Sequence, residues 1–228
     1  MRIVVKVGGL VFSNGLSAET ISEYAKVLSK LHDEGHRLVA VAGGGEEARR
    51  YIKAARELGA SEYACDILGL ETARLNAMLL IAALRDDAYP VPPETIQELE
   101  VAFQSGKVVV IGGIVPGQST NAVAALSAEA IGADLLVNAT NVEGVYTSDP
   151  SKDPSAKKLN EVETEELLRI VMGGRMGAGS YELFDPVAIK VVERSRIPTR
   201  IIDGRVPENI EKAVRGEPTG TLLKATIR

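Results

Sequence analysis

Cysteine is nearly absent: Cys65 is the only one among 228 residues. A disulfide framework within the chain is thereby excluded, which fits a reducing compartment. A small packed side chain is the ordinary reading of Cys65 itself. Histidine is almost as scarce, with His32 and His36 flanking a predicted helix end and no metal-binding cluster around them. No Ser/His/Asp arrangement can be read. Basic residues are not in excess, with 26 Lys and Arg against 31 Asp and Glu and a formal net charge of −5. A sequence-independent nucleic-acid binder would need a broad basic surface, so nucleic acid is not an expected partner. A small anionic ligand is not excluded, because local donors hold phosphate on an acidic protein.

Long apolar runs are missing too. The apolar stretch after Met1 is too short for a signal peptide, and nothing approaches the ~20 apolar residues of a membrane span. The longest such segment, Ala77 to Leu84, falls inside a helical pattern. A cytoplasmic protein without a membrane partner is the expectation. The phosphate-binding loop that ends in Gly-Lys-Ser/Thr is absent, as are the protein-kinase signatures.

What is present is an alternation of short β-branched strands and amphipathic helices. Strands are predicted at Ile3–Val7, Arg37–Ala42, Tyr89–Val91, Lys107–Ile111, Leu135–Asn138, Thr199–Ile202 and Thr221–Leu223. Helices are predicted at Ser17–Leu31, Glu46–Leu58, Glu62–Arg85, from Pro92-Pro93-Glu94 to Gln104, and at Thr120–Ile131, Glu163–Met172, Asp185–Arg194 and Pro207–Val214. The segment from Thr140 to Leu159 reads as loop, and Gly173 to Gly179 as a mobile loop. This pattern implies an α/β fold, a largely parallel central sheet with helices on both faces. Residues 1–228 form one domain, and a shift near 131–134 divides it into two lobes, 1–131 and 132–228, one for each ligand.

Glycine clusters where such sheets bind ligands, at the carboxyl ends of strands. Lys6-Val7-Gly8-Gly9-Leu10 ends a strand in two glycines, with a lysine alongside; a plain tight turn is the competing reading. Gly43-Gly44-Gly45 runs into a helix that carries Arg49 and Arg50 in its first turns, and a helix start offers unsatisfied N–H groups and partial positive charge to an anion. Gly112 to Asn121 adds Gln118, Ser119, Thr120 and Asn121, some of which must cap the following helix. Thr140 to Pro150 supplies Asn141, Tyr146 and Asp149, a set suited to a purine and ribose or to a simple Asp-Pro turn. Two anion grips in one sheet imply a phosphorylated donor and a phosphorylated acceptor. Gly43-x-Gly45-x-x-Ala48 also matches the dinucleotide fingerprint, with Asp66 at the distance of its acidic partner. No strand lies between them, which argues against that reading.

Together these motifs resemble the amino-acid kinase superfamily, most closely its archaeal-type uridylate kinases, over nearly the whole chain. The resemblance rests on Lys6 to Gly9, Gly43 to Arg49, Asp66, Gly112 to Thr120 with its Pro-Gly-x-x-Thr core, Ala133 to Leu136, Thr140 to Pro150, and Asp185-Pro186-x-Ala188-x-Lys190. It implies a homohexameric enzyme of pyrimidine biosynthesis that uses MgATP to convert UMP to UDP, with no protein-held metal. It implies an acceptor lobe over 1–131 and an ATP lobe over 132–228. It implies UMP contacts from Gly44, Asp66 and Ile114-Val115-Pro116-Gly117-Gln118-Ser119-Thr120. It implies ATP contacts from Gly8, Gly9, Leu10, Gly45, Arg49, Thr140, Asn141, Tyr146 and Asp149. It implies Lys6 at the transferred phosphoryl group, Asp134 orienting it by charge pairing, and Lys190 as a second lysine. The sequence departs from the family pattern at Asn121, where an aspartate is common, and at Leu10, where a serine is. A different acceptor on the same fold (a carbamate, carboxylate or isoprenoid phosphate) and a non-catalytic nucleotide-binding protein are the alternatives.

Overall fold

The computed structural model describes residues 1–12, 16–148, 153–172 and 183–226. The expected glycine loop at 173–179 and the Asp149-Pro150 turn lie outside the described residues. Seven strands, β1 (Arg2–Gly8), β2 (Arg37–Ala42), β3 (Val109–Ile111), β4 (Leu135–Thr140), β5 (Glu161–Glu163), β6 (Thr199–Asp203) and β7 (Thr221–Lys224), form one sheet in the order β3-β2-β1-β4-β6-β7-β5. The run from β3 to β6 is parallel. β7 lies antiparallel to β6 and parallel to β5. The helices are α1 (Ala18–Asp33), α2 (Gly45–Glu57), α3 (Glu62–Leu84), α4 (Ile96–Phe103), α5 (Thr120–Ala130), α6 (Thr164–Met172), α7 (Pro186–Ser195) and α8 (Glu208–Val214).

Burial on both faces explains why the central strands read as continuous apolar runs rather than alternating ones. Ile3, Val5 and Val7 of β1 join Leu38, Ala40 and Ala42 of β2 under α1, α3 and α8. Val4, Val39, Val41 and Ile111 face the other way, under α4, α5 and α7. By the same alternation Lys6 points to the α5 side, and so does its register partner Asn138 of β4. Local signals set most helix starts. The Ser17 side chain accepts the Thr20 N–H at α1, and Asp185 accepts from Val187 and Ala188 at α7, with Pro186 following it.

Three expectations change. Tyr89–Val91 is not a strand; only an isolated bridge, Ala88 to Val108, extends β3 at this edge. Pro92-Pro93 does not open a helix, because Thr95 takes the cap by accepting from the Glu98 N–H and α4 begins at Ile96. The final strand does not complete a parallel unit, since β7 runs against β6. In addition α3 with its trailing turn, Glu62–Asp87, is by length and composition apolar enough to cross a membrane. In the fold its Cys65, Leu70, Ala73, Ala77, Leu80 and Leu84 are buried.

The strand order has a functional consequence. The chain builds outward from β1 to β2 and β3, then returns to place β4 on the other side of β1. The carboxyl ends of β1 and β4 therefore flank a topological switch point, where such sheets leave a crevice.

Candidate functional site

All four strands that end in the glycine or Thr140 turns are parallel, so the turns share one edge of the sheet. The first two turns are joined backbone to backbone. The Gly43 N–H donates to the Gly8 carbonyl at 3.4 Å. A Cβ on Gly9 would lie 2.6 Å from the Gly45 Cα, and one on Gly43 would lie 2.7 Å from the Gly9 nitrogen. No side chain fits between them, and Gly45 also sits at φ +66°. Leu10 opens a short 3-10 turn, Leu10–Phe12, directly after this contact.

α2 starts here at Gly44 without a side-chain cap, whereas α1, α3, α4, α5 and α7 are all capped by Ser, Thr or Asp. A helix start without a side-chain cap is the kind that offers N–H groups to an anion. Arg50 is neutralised by Glu46 at 2.9 Å and Glu47 at 3.0 Å. Arg49 is exposed and has no ion-pair partner among the described residues.

The third turn is assembled by α3. A Cβ on Gly113 would meet Leu70 at 2.8 Å, and one on Gly112 would meet the Ala73 backbone at 2.7 Å. One turn earlier on the same helix, the exposed Asp66 carboxylate faces Gly117, with Oδ2 3.8 Å from where a Cβ would stand. Residues 66 and 117 are thus brought together. Ile114, Val115, Pro116 and Gln118 form the bend, closed by the Gln118 N–H donating to the Val115 carbonyl at 3.2 Å. Ser119 caps α5 by accepting the Ala122 N–H at 3.0 Å, and its hydroxyl donates to Asp185. Thr120 is the first residue of α5. Much of the Ser119 side chain is therefore spent on structure.

The fourth turn surrounds the end of β4. The Thr140 Oγ1 accepts the Val142 N–H at 3.2 Å, and the Thr140 carbonyl accepts the Gly204 N–H at 2.7 Å. Asn141 is exposed. The Tyr146 hydroxyl donates to Glu143 at 3.4 Å. Burial, then the Glu143 carboxylate, pushes the Tyr146 phenol above its ordinary pKa. Nearby, Arg205 grips Asp203 through two bonds of 2.7 and 2.9 Å and holds that carboxyl below its usual range. Asp149 lies outside the described residues.

Lys6 is 9% exposed, two residues before the carboxyl end of β1. Asp134 is not near it, which corrects the expected charge pair. Asp134 precedes β4 and stands level with Arg2, whose N–H its carboxylate accepts at 2.7 Å. Lys6 is level with Asn138, four residues further along β4. At ~3.3 Å per residue the two levels are about 13 Å apart, at opposite edges of the sheet. Lys190 is not joined to the turns either; its ammonium bonds Glu193 at 2.6 Å on the exposed side of α7. Replacing Asp134 with alanine should leave kcat within about twofold and lower stability by about 1 kcal/mol, the worth of one exposed charged hydrogen bond. Steady-state kinetics and urea unfolding check this; a hundredfold fall in kcat would restore Asp134 to the site.

Three residues that pattern reading passed over complete the framework. The Asn76 side chain of α3 donates to the Gly43 carbonyl at 2.8 Å and is buried. Arg74 donates to the Gly113 carbonyl at 3.1 Å while paired with Glu71 and Glu94. Asn138 donates to the Leu183 carbonyl at 2.7 Å. A polar residue inside an otherwise apolar run was the available signal for Asn76 and Asn138. The Oδ1 atoms of Asn121 and Asn138 are buried with no hydrogen-bond partner among the described residues. Such an atom costs about 1–3 kcal/mol.

Comparison with known proteins gives the family and the fold. The sequence profile of the Amino acid kinase family matches residues 1–203. A uridylate kinase from Hyperthermus butylicus is 54% identical over 221 residues, 97% of each chain. The crystal structure of a uridylate kinase from Archaeoglobus fulgidus superimposes with a TM-score of 0.89 at 45% identity, covering 98% of this chain and 100% of that one. A UMP kinase structure from Bacillus anthracis shares the fold, with a TM-score of 0.82 at 20% identity over 99% of this chain and 96% of its own.

Proposed function

The chain belongs to the amino acid kinase family, and on that premise we propose that it is an archaeal-type uridylate kinase, transferring the γ-phosphoryl group of ATP to UMP. The observation that carries this is the 54% identity to a uridylate kinase across 97% of both chains. Local geometry supplies the parts such a transfer needs: two joined glycine turns, an uncapped helix start, a buried lysine and a carboxylate facing a polar loop.

The chemistry asks for alignment and charge stabilisation rather than acid–base work. A UMP phosphate oxygen is already anionic at neutral pH. It attacks the γ-phosphorus, the bond from that phosphorus to the β-phosphate bridging oxygen breaks, and ADP departs with the bond's electron pair. Lys6 and the N–H groups of Gly8 and Gly9 offset the charge on the transferring group. The Gly44–Gly45 turn and Arg49 hold the phosphates in line. Asp66 accepts hydrogen bonds from the ribose of UMP, beside the 114–120 loop. Thr140, Asn141, Tyr146 and Asp149 cradle the adenosine end of ATP, with Leu10 contributing backbone. Residues 1–131 then serve mainly the acceptor and 132–228 the donor nucleotide. The donor substrate is MgATP.

A homohexamer is part of the same proposal. Tyr51 and Leu58 of the α2 end and Tyr63, Leu75 and Met78 of α3 are exposed apolar side chains, and a second copy would cover them. Cytoplasmic placement and a role in pyrimidine nucleotide synthesis follow from the activity. Asp66→Asn should raise KM for UMP about tenfold and leave KM for ATP within about twofold, because a ribose hydrogen bond to a charged group is worth roughly 1.5–3 kcal/mol. A rise in KM for ATP alone would remove Asp66 from the acceptor site.

A further inference from the structure

Asn138 is the residue with no counterpart in the reading above. It is fully buried, and the rest of β4 before Thr140 is apolar. It is the register partner of Lys6 on the neighbouring parallel strand, so the two side chains leave the sheet side by side on the α5 face. Its orientation is determined by chemistry. The Leu183 carbonyl can only accept, so the amide NH2 faces it at 2.7 Å and Oδ1 is left as the acceptor. That oxygen has no hydrogen-bond partner among the described residues. A buried acceptor kept without a partner, next to a lysine in the proposed site, calls for a donor that arrives with function.

We propose that Asn138 is a positioning residue for phosphoryl transfer, its Oδ1 accepting a hydrogen bond from the Lys6 ammonium when the transferring phosphate is in place. The inference rests on the reading that Lys6 meets that phosphate. A neutral amide suits the task, because it fixes the direction of the ammonium without cancelling its charge. The carboxylate expected to do this, Asp134, lies at the other edge of the sheet. The Leu183 bond adds a second consequence: the segment leading into α7 is tied to the strand that orients Lys6.

The test is a double-mutant cycle on the full chain. Asn138→Leu keeps the branched shape and removes both the acceptor and the donor to Leu183. It should lower kcat per folded molecule about 10–100-fold, with KM for UMP and for MgATP within about threefold, and the lost Leu183 bond should appear separately as a fall in stability by urea unfolding. In the Lys6→Ala background it should lower kcat by no more than about a further twofold, because its effect passes through Lys6. A residue that only tethers Leu183 would lose folded protein and leave kcat per folded molecule unaltered. That result overturns the proposal, and so does a full multiplicative effect on top of Lys6→Ala. If Lys6→Ala alone keeps the parent kcat, the reading of Lys6 falls and this inference with it. If Lys6→Ala is impaired and Asn138→Leu is not, only this inference falls. Should the leucine variant not fold, Asn138→Ala is read by the same criteria.

Discussion

Lys6→Ala should lower kcat by about 10³-fold and leave KM for UMP within about threefold. The size follows from what one preorganised charge is worth at a developing anion in a site shielded from water, roughly 3–4 kcal/mol. The asymmetry follows from timing: the ammonium meets charge that grows on the transferring group, so its loss appears in kcat and kcat/KM together. Lys6 is 9% exposed, and its truncation also removes packing between β1 and α5. Rates must therefore be normalised to folded protein from an unfolding curve. A kcat equal to that of the parent would end the assignment.

Gly9→Ala is expected to be nearly as severe for a different reason. The added methyl would stand 2.6 Å from the Gly45 Cα and 2.7 Å from its nitrogen. Both obstacles are backbone, so no rotamer change relieves the clash, and the two glycine turns must move apart. Stability should fall by about 2–4 kcal/mol, which for a chain of this length is a drop in Tm of roughly 5–15 °C. kcat/KM for UMP should fall at least about 100-fold, because a displacement near 1 Å costs that much in alignment. Gly59 is the control. It has φ +80° and nothing within 4 Å of its would-be Cβ, so Gly59→Ala should cost about 1 kcal/mol and leave kcat unchanged. Equal kinetics for the two variants would show that the Gly9–Gly45 contact does not shape the site.

The features legible in the sequence were those with a local cause. A β-branched run such as Ile3 to Val7 must be buried on both faces, and glycines directly after it mark the edge where strands end. The caps at Ser17, Ser119 and Asp185 likewise declare their helices. What escaped depends on direction and register. β5 is three residues, Glu161–Glu163, of which only Val162 is buried, too short for a period to register. The β7 sequence looks the same whether it runs with β6 or against it. Asp134 was misplaced although a signal existed: in a parallel sheet, a residue just before a strand lies at the opposite edge from the residue just after one. Asn138 was read as a strand's end, when β4 runs on to Thr140 and buries the amide beside Lys6. Family likeness supplied UMP as the acceptor; physical reading alone supplied two phosphorylated ligands.

The acceptor therefore decides the account. Purified protein with MgATP should be offered UMP, CMP, GMP, AMP, carbamate, a carboxylate substrate and an isoprenoid phosphate in separate reactions, and ADP release measured for each. UMP should drive rapid ADP release with UDP as the product, and kcat/KM for UMP should exceed that of every other acceptor at least about tenfold, as expected when the site's polar groups match one substrate. ADP release driven best by a carboxylate, carbamate or isoprenoid phosphate, or none with any acceptor, would contradict it.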